Sequence, residues 1–332
     1  SEMERCNSPK MIPYYFSHGR TALKYGLLSL GLKPGDEILI PDYICDVVLH
    51  PLKSLGLKHQ FYPVLDDLSP NWDELEKIVR VNSIAILMVH YFGQPQNIPV
   101  FQNFCKIHKL FLIEDNAHGH GGEFEGQMLG TFGDMGMSSP RKHLNTYCGG
   151  ILWLLNEQPQ AIPKFSDFPI SLRQKLQQYL FARFPRLKNC LKRILKQRPP
   201  FENSLAFKEK EINDYGIDIY SKHCLEKTDW NVLKTKKQKA YKSWQNFALE
   251  QGLAPIFKTL HSETNPWCFP AYVKDQKEAI RWFEWGWEND VQIYSWPSLP
   301  EEVIDEDSSA LERWKRIICI STNDSTPEWF CK

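Results

Sequence analysis

The run Leu110-Phe111-Leu112-Ile113-Glu114-Asp115 decides the fold. Four apolar residues in succession, without the alternation of a half-exposed strand, read as a strand covered on both faces, and such strands belong to parallel sheets flanked by helices. The run closes on carboxylates, and the carboxyl edge of a parallel sheet is where open α/β folds place ligands. Working outward, the pattern predicts helices over 20–31, 72–80 and 98–108 and strands over 37–40, 83–89, 110–114 and 150–155. Such βα alternation implies a mostly parallel sheet. Lys33-Pro34-Gly35-Asp36 separates the first helix from its strand as Pro and Gly punctuation should.

Downstream of Asp115 lies Gly136-Met137-Ser138-Ser139-Pro140-Arg141-Lys142-His143-Leu144, followed by Gly149-Gly150. A strand-end carboxylate and a loop lysine in this order are what a pyridoxal phosphate (PLP) enzyme needs. The lysine amine can form a Schiff base with the cofactor aldehyde, and the carboxylate keeps the pyridine ring protonated and able to accept electrons. The phosphate needs a third element. Ser17-His18-Gly19-Arg20-Thr21-Ala22-Leu23 supplies a Gly-Arg-Thr turn opening an apolar-periodic helix, whose free amides and dipole favour an anion. Each element alone is more often a solvated residue or a plain helix cap; together and in order they point to one site.

The rest of the chain limits the alternatives. Its 332 residues suit a large domain plus a smaller one, expected at 1–245 and 246–332, and 40 basic against 40 acidic residues give no global reason for nucleic acid or membrane binding. Nine scattered cysteines without a Cys-x-x-Cys pair argue against a disulfide framework and against a zinc site, which suggests a reducing cytoplasm. The longest apolar run, Ile84–Val89, is too short for a transmembrane helix, and no signal peptide is evident. From Pro266-Trp267-Cys268-Phe269-Pro270-Ala271-Tyr272-Val273, through a helix near 276–288, to Val291–Pro297, the pattern is that of a small α+β unit. The stretch Leu172–Phe201, within an expected helical insertion at about 165–210, carries nine Lys or Arg and no acid. It reads first as amphipathic helices packing an apolar stripe on the sheet, and secondly as a basic surface for a membrane or an anionic substrate.

In these blocks the chain is similar to the DegT/DnrJ/StrS-type sugar-nucleotide aminotransferases, which are fold-type I PLP-dependent enzymes. The blocks, in order, are Gly19–Leu23, Gly31–Pro41, Val89-His90-Tyr91-Phe92-Gly93-Gln94-Pro95, Glu114-Asp115-Asn116-Ala117-His118, Gly130–Gly136 and Lys142 with Gly149-Gly150. The resemblance covers roughly residues 15 to 155 well and the remainder loosely. It implies an α/β large domain with a small C-terminal domain, and PLP attached to Lys142 and paired through its ring nitrogen with Asp115. His118 falls beside the cofactor ring, and Gly19, Arg20 and Thr21 fall on the phosphate turn.

Three positions depart from the family pattern. Met137 stands where a phosphate-binding serine is usual, leaving Ser138 or Ser139 for that contact. Cys45 aligns with the usual ring-stacking aromatic, with Tyr43 as a substitute. The downstream stretch that reaches a neighbouring subunit is reduced to Asn213-Asp214-Tyr215-Gly216-Ile217-Asp218, without its arginine. The resemblance implies transfer of an amino group from an amino acid such as glutamate to a keto-sugar nucleotide, in a homodimer with shared sites. A dehydratase of the same family is the nearest alternative, but that branch carries histidine where this chain has Lys142. A non-catalytic PLP-fold binding protein is the other.

Overall fold

The computed structural model describes residues 11–144, 146–155, 162–184, 214–305 and 308–323. Its larger sheet is built from β1 (Ile12–Phe16), β2 (Glu37–Pro41), β3 (Lys58–Tyr62), β4 (Ser83–Val89), β5 (Phe111–Asn116), β8 (Met135–Ser138) and β9 (Gly150–Leu154), with a small hairpin of β6 (Glu123–Phe124) and β7 (Gln127–Met128) between β5 and β8. The order across the sheet is β1-β9-β8-β5-β4-β2-β3. Strands β3, β2, β4, β5 and β8 run parallel, while β9 lies antiparallel to both β8 and β1. The central strands are the continuous apolar ones. From Ala85 to Val89 every residue of β4 is buried, as two helix-covered faces require.

Helices α1 (Gly19–Ser29), α2 (Leu49–Ser54), α3 (Trp72–Ile78) and α4 (Ile98–His108) fall in the connections between the first strands. Ala22, Leu23 and Leu27 of α1 are buried in the same apolar cluster as Met135, Leu152 and Leu154 of β8 and β9. The start of α1 presses directly on β9. A Cβ added at Gly150 would lie 2.3 Å from the His18 carbonyl carbon, so glycine at this position sets how closely the His18-Gly19 turn approaches the sheet.

A second sheet of four strands, ordered β10-β11-β13-β12, comprises β10 (Ala254–Pro255), β11 (Cys268–Tyr272), β12 (Ile293–Tyr294) and β13 (Ile317–Ser321). Its own apolar cluster joins Phe269, Ala271, Ile318 and Ile320 to Tyr241 and Trp244 of the helix Trp230–Glu250 and to Ala279 of the helix Gln276–Glu288.

Two neighbouring carboxylates at the end of β5 face opposite ways, as alternation along a strand dictates. Fully buried Glu114 accepts from the backbone N–H groups of Gly130 (2.5 Å), Phe132 (2.6 Å) and Gly133 (3.2 Å) and lies 2.7 Å from His90 Nε2. That carboxylate fixes the turn leading into β8. Glu114→Ala leaves several buried donors without an acceptor and is expected to cost about 3–5 kcal/mol of stability. A shift in the urea midpoint with unchanged slope would measure it.

In its described part the basic stretch departs from its first reading. Only its beginning is described, as α5 (Leu172–Arg183), started by a capping box between Ser171 and Gln174; residues 185–201 lie outside the described residues. Leu172, Leu176, Tyr179 and Leu180 are exposed rather than packed on the sheet. At 3.6 residues per turn Arg183 falls between Leu172 and Leu176 and Arg173 falls beside Leu180, so this helix offers no unbroken apolar stripe to bury. Among the described residues no helix is long and apolar enough to cross a membrane.

Candidate active site

The carboxyl edge of the larger sheet holds a cavity of about 300 Å³. Asp115 reaches it from the end of β5, and Lys142 from the short 3-10 turn Pro140–Lys142 that follows β8. Asp115 Oδ1 accepts from the Ala117 N–H at 2.9 Å. Burial pushes the carboxyl above its ordinary range, while that N–H and the nearby Lys142 ammonium pull the other way. Such an acid is poised to share a proton with a basic partner.

His118 lines the same cavity with its imidazole held by backbone, its Nδ1 accepting from the Phe92 N–H at 3.1 Å. That bond assigns the ring proton to Nε2, leaving a donor. Burial holds the imidazole well below its usual pKa, and nearby Lys142 and His143 add to the effect, so it stays neutral. Trp267 stacks on it with centroids 4.4 Å apart and planes 24° apart, and Trp296 meets it edge-on at 4.5 Å. The Lys142 ammonium lies 4.8 Å from the Trp267 ring centroid and 5.9 Å from that of Trp296.

The start of α1 forms another wall. Gly19, Arg20 and Arg141 line the cavity together with His18, the N-cap residue of α1. His18 is buried, and its Nδ1 has no hydrogen-bond partner among the described residues. Burial and the charges of Arg141 and Arg20 depress its pKa to about 3. An orphaned polar nitrogen, two guanidinium groups and a helix N-terminus converging on one end of a cavity suit a phosphate. Ile44, Val48, Val89, Ala117 and Met137 add apolar walls, beside the hydroxyl-bearing Ser295 and Ser298.

Of the residues singled out in the sequence, Gly19, Arg20, Cys45, Asp115, His118, Ser139 and Lys142 therefore share one cavity. Three others lie behind it. Thr21 is buried in the first turn of α1. Ser138, the last residue of β8, has its hydroxyl 2.9 Å from His120 Nδ1, so of the two serines Ser139 is the one on the wall. Tyr43 is fully buried and donates its hydroxyl to the Trp296 carbonyl, bracing the wall from outside. Cys45 brings no ring; its thiol lies 3.5 Å from the Ser298 hydroxyl, with its pKa raised by burial. Asp214 of the downstream stretch binds Lys24 and accepts from the Tyr25 hydroxyl at 2.8 Å, while Asn213 lies outside the described residues.

His18, Arg141, Trp267 and Trp296 were not picked out by sequence. His18 and Arg141 sit beside positions that were, and adjacency to a turn glycine and to the lysine was the available signal. The tryptophans lie far downstream, where no spacing rule links them to Lys142.

A mostly parallel α/β sheet with a lysine and a strand-end aspartate meeting at its carboxyl edge is the architecture of the fold-type I PLP-dependent transferases. The chain belongs to the DegT/DnrJ/EryC1/StrS aminotransferase family, whose model matches residues 15–180, half of its length. GDP-perosamine synthase of Escherichia coli O157:H7 is 30% identical over 142 residues, covering 41% of this chain and 38% of that one. GDP-4-keto-6-deoxy-D-mannose 3-dehydratase of Escherichia coli O55:H7 is 32% identical over 124 residues, covering 36% and 32%. The aligned part thus spans little more than a third of the curated relatives it matches. In three dimensions the chain is similar to Spr1654, a putative sugar aminotransferase from Streptococcus pneumoniae solved in its PMP form, with a TM-score of 0.69 at 15% identity, covering 97% of this chain and 83% of that one.

Proposed function

We propose that this protein is a PLP-dependent aminotransferase that moves an amino group from an amino acid, with glutamate as the donor, to a keto-sugar nucleotide. The observation that carries the reading is the meeting of Lys142 and Asp115 in one cavity with an anion-binding end. Membership of the family supports it, as do relatives named for amino transfer to keto sugars. Lysine rather than histidine at position 142 favours amino transfer over dehydration.

When bound, PLP supplies the electron sink that loosens the bond from Cα to hydrogen. The chain does the rest. Gly19 and the first turn of α1, with Arg20, Arg141, His18 and Ser139, would hold the phosphate; Asp115 would keep the pyridine nitrogen protonated, and the His118 Nε2–H would offer the ring a donor. Lys142 Nζ would hold the cofactor and, once released, would take and return the proton at the amino donor's Cα as general base and acid. The apolar walls keep water from competing for it.

A large unit over 1–245 and a small one over 246–332 belong to the same reading, supported by the two sheets, although the helix Trp230–Glu250 runs across that boundary and packs Tyr241 and Trp244 with the smaller sheet. So does a cytoplasmic location, supported by the free thiols at Cys45, Cys105, Cys148, Cys224, Cys268 and Cys319.

The direct test is the absorption spectrum of the purified protein loaded with PLP. Glutamate should bleach the visible band, with release of one equivalent of 2-oxoglutarate per site. A band indifferent to glutamate and to other amino donors refutes the reading. Assembly is a second expectation. Exposed apolar residues on α5 and at Ile219 and Tyr220 offer surface for a homodimer with shared sites. Light scattering at micromolar concentration should give twice the chain mass; a monomer with full cofactor binding would contradict it.

A further inference from the structure

Trp267 and Trp296 meet nearly at right angles, with planes 83° apart and centroids 6.3 Å apart, and the Lys142 nitrogen lies over both rings. Two perpendicular indole faces around one ammonium form a corner in which the negative ring faces add. Both walls are fixed from behind. The Trp267 backbone N–H donates to the Phe92 carbonyl at 2.9 Å, the Thr322 hydroxyl donates to the Trp267 carbonyl at 2.9 Å, and His118 packs against the rings of both Trp267 and Phe92. The Trp296 carbonyl takes the Tyr43 hydroxyl, and its ring stands edge-on to Phe92 at 5.4 Å.

We propose that Trp267 and Trp296 form an aromatic seat that binds and positions the Lys142 ammonium whenever that amine is not covalently engaged, so that the reacting nitrogen returns to one place after each release. The seat takes Lys142 as the reactive amine and in that respect rests on the function proposed above. Its chemistry suits a group that must leave and come back. A carboxylate at the same distance would hold the ammonium by a directional ion pair and add negative charge to a cavity that already contains Asp115. Indole faces hold a cation without a defined hydrogen-bond direction and more weakly, so the amine is placed but not trapped. Trp267 and Trp296 are thus positioning residues acting through Lys142, contributed by the segments flanking β11 and β12 to a site built mainly on the larger sheet.

The experiment is competitive acetylation of the full, cofactor-free chain at one fixed pH, reading by mass spectrometry the rate at Lys142 relative to exposed lysines. An ammonium held on an aromatic face reacts slowly, so loosening the seat should speed acetylation. Trp267→Leu should raise the relative rate about threefold to tenfold, with Trp267→Phe, which keeps an aromatic face, close to the parent. Because leucine also opens space, protein grown on mono-, di- and trifluorotryptophan carries the decision. Fluorine drains the ring face with little change of shape, and the rate should climb stepwise with fluorine number. That climb should vanish in the double variant Trp267→Phe, Trp296→Phe. A rate indifferent to fluorination overturns the proposal even if the leucine variant reacts faster, as does a climb that survives in the double variant. The seat and the aminotransferase reading fail separately, since acetylation needs no cofactor and the response to glutamate needs no intact seat.

Discussion

Lys142→Ala is expected to lower amino transfer by about 10⁴-fold or more, the largest effect of any single substitution in this chain. General acid–base groups commonly contribute 10²–10⁴-fold, and this lysine also holds the cofactor covalently, so both contributions vanish together. The fold should survive. Lys142 is half-buried at the end of a short turn rather than in the core, and alanine removes a charge without leaving a large cavity. PLP should still bind, more weakly, because His18, Arg20 and Arg141 remain at the phosphate end. Its spectrum should be that of the free aldehyde, unresponsive to borohydride fixation. In the parent protein, borohydride should fix the cofactor to the peptide containing Pro140-Arg141-Lys142. Fixation on another lysine, or appreciable turnover in the alanine variant, would remove Lys142 from its assigned place.

The ease with which Lys142 and Asp115 were read contrasts with the obscurity of what surrounds them, and the reasons are physical. Strands β4 and β5 are legible because helices on both faces demand unbroken apolar runs, and α1, α3 and α4 because Gly, Pro and polar caps mark their ends. Strand β8 is not legible. It is only Met135-Gly136-Met137-Ser138, with a glycine that weakens any strand signal, yet a Cβ at Gly136 would lie 2.0 Å from the Gly130 carbonyl oxygen, so the fold needs that glycine. Strand β1 was hidden by Pro13, which an inner strand would not tolerate but which is accommodated here at the edge of the sheet, where β9 is the neighbouring strand. The helix Trp230–Glu250 was masked by its lysines, one of which, Lys237, is fully buried.

At the site the same division holds. Asp115, Lys142 and the Gly19 turn are separated by short, ordered elements, so their convergence follows from βα alternation. Ser138 and Ser139 could not be separated by sequence, because which one faces the cavity depends on where β8 stops. Trp267 and Trp296 come from the smaller sheet's connections, and their approach to Lys142 depends on how two sheets dock, which no local pattern encodes.

Asp115→Asn separates the catalytic demand at this position from the structural one. The asparagine Oδ1 can keep the 2.9 Å bond from the Ala117 N–H, so geometry is preserved while the charge is lost. Without a carboxylate to hold a proton at the pyridine nitrogen the electron sink weakens, and turnover should fall by at least about 10²-fold. Stability should move the other way. Burial raises the Asp115 pKa, so in the cofactor-free protein folding disfavours its charged form. A group whose folded pKa is raised contributes stability that is present below its unfolded pKa and is lost as pH rises toward the folded value. The parent protein should therefore lose stability relative to Asp115→Asn on going from acid pH upward through the carboxylate range, with the difference constant above the raised pKa. Urea midpoints of both cofactor-free proteins across that range measure it. Bound cofactor should narrow the gap, because a pyridinium beside Asp115 offsets the cost of the buried charge. An asparagine variant that is both less stable at neutral pH and nearly fully active would mean that Asp115 braces the end of β5 and that the ring nitrogen sits elsewhere.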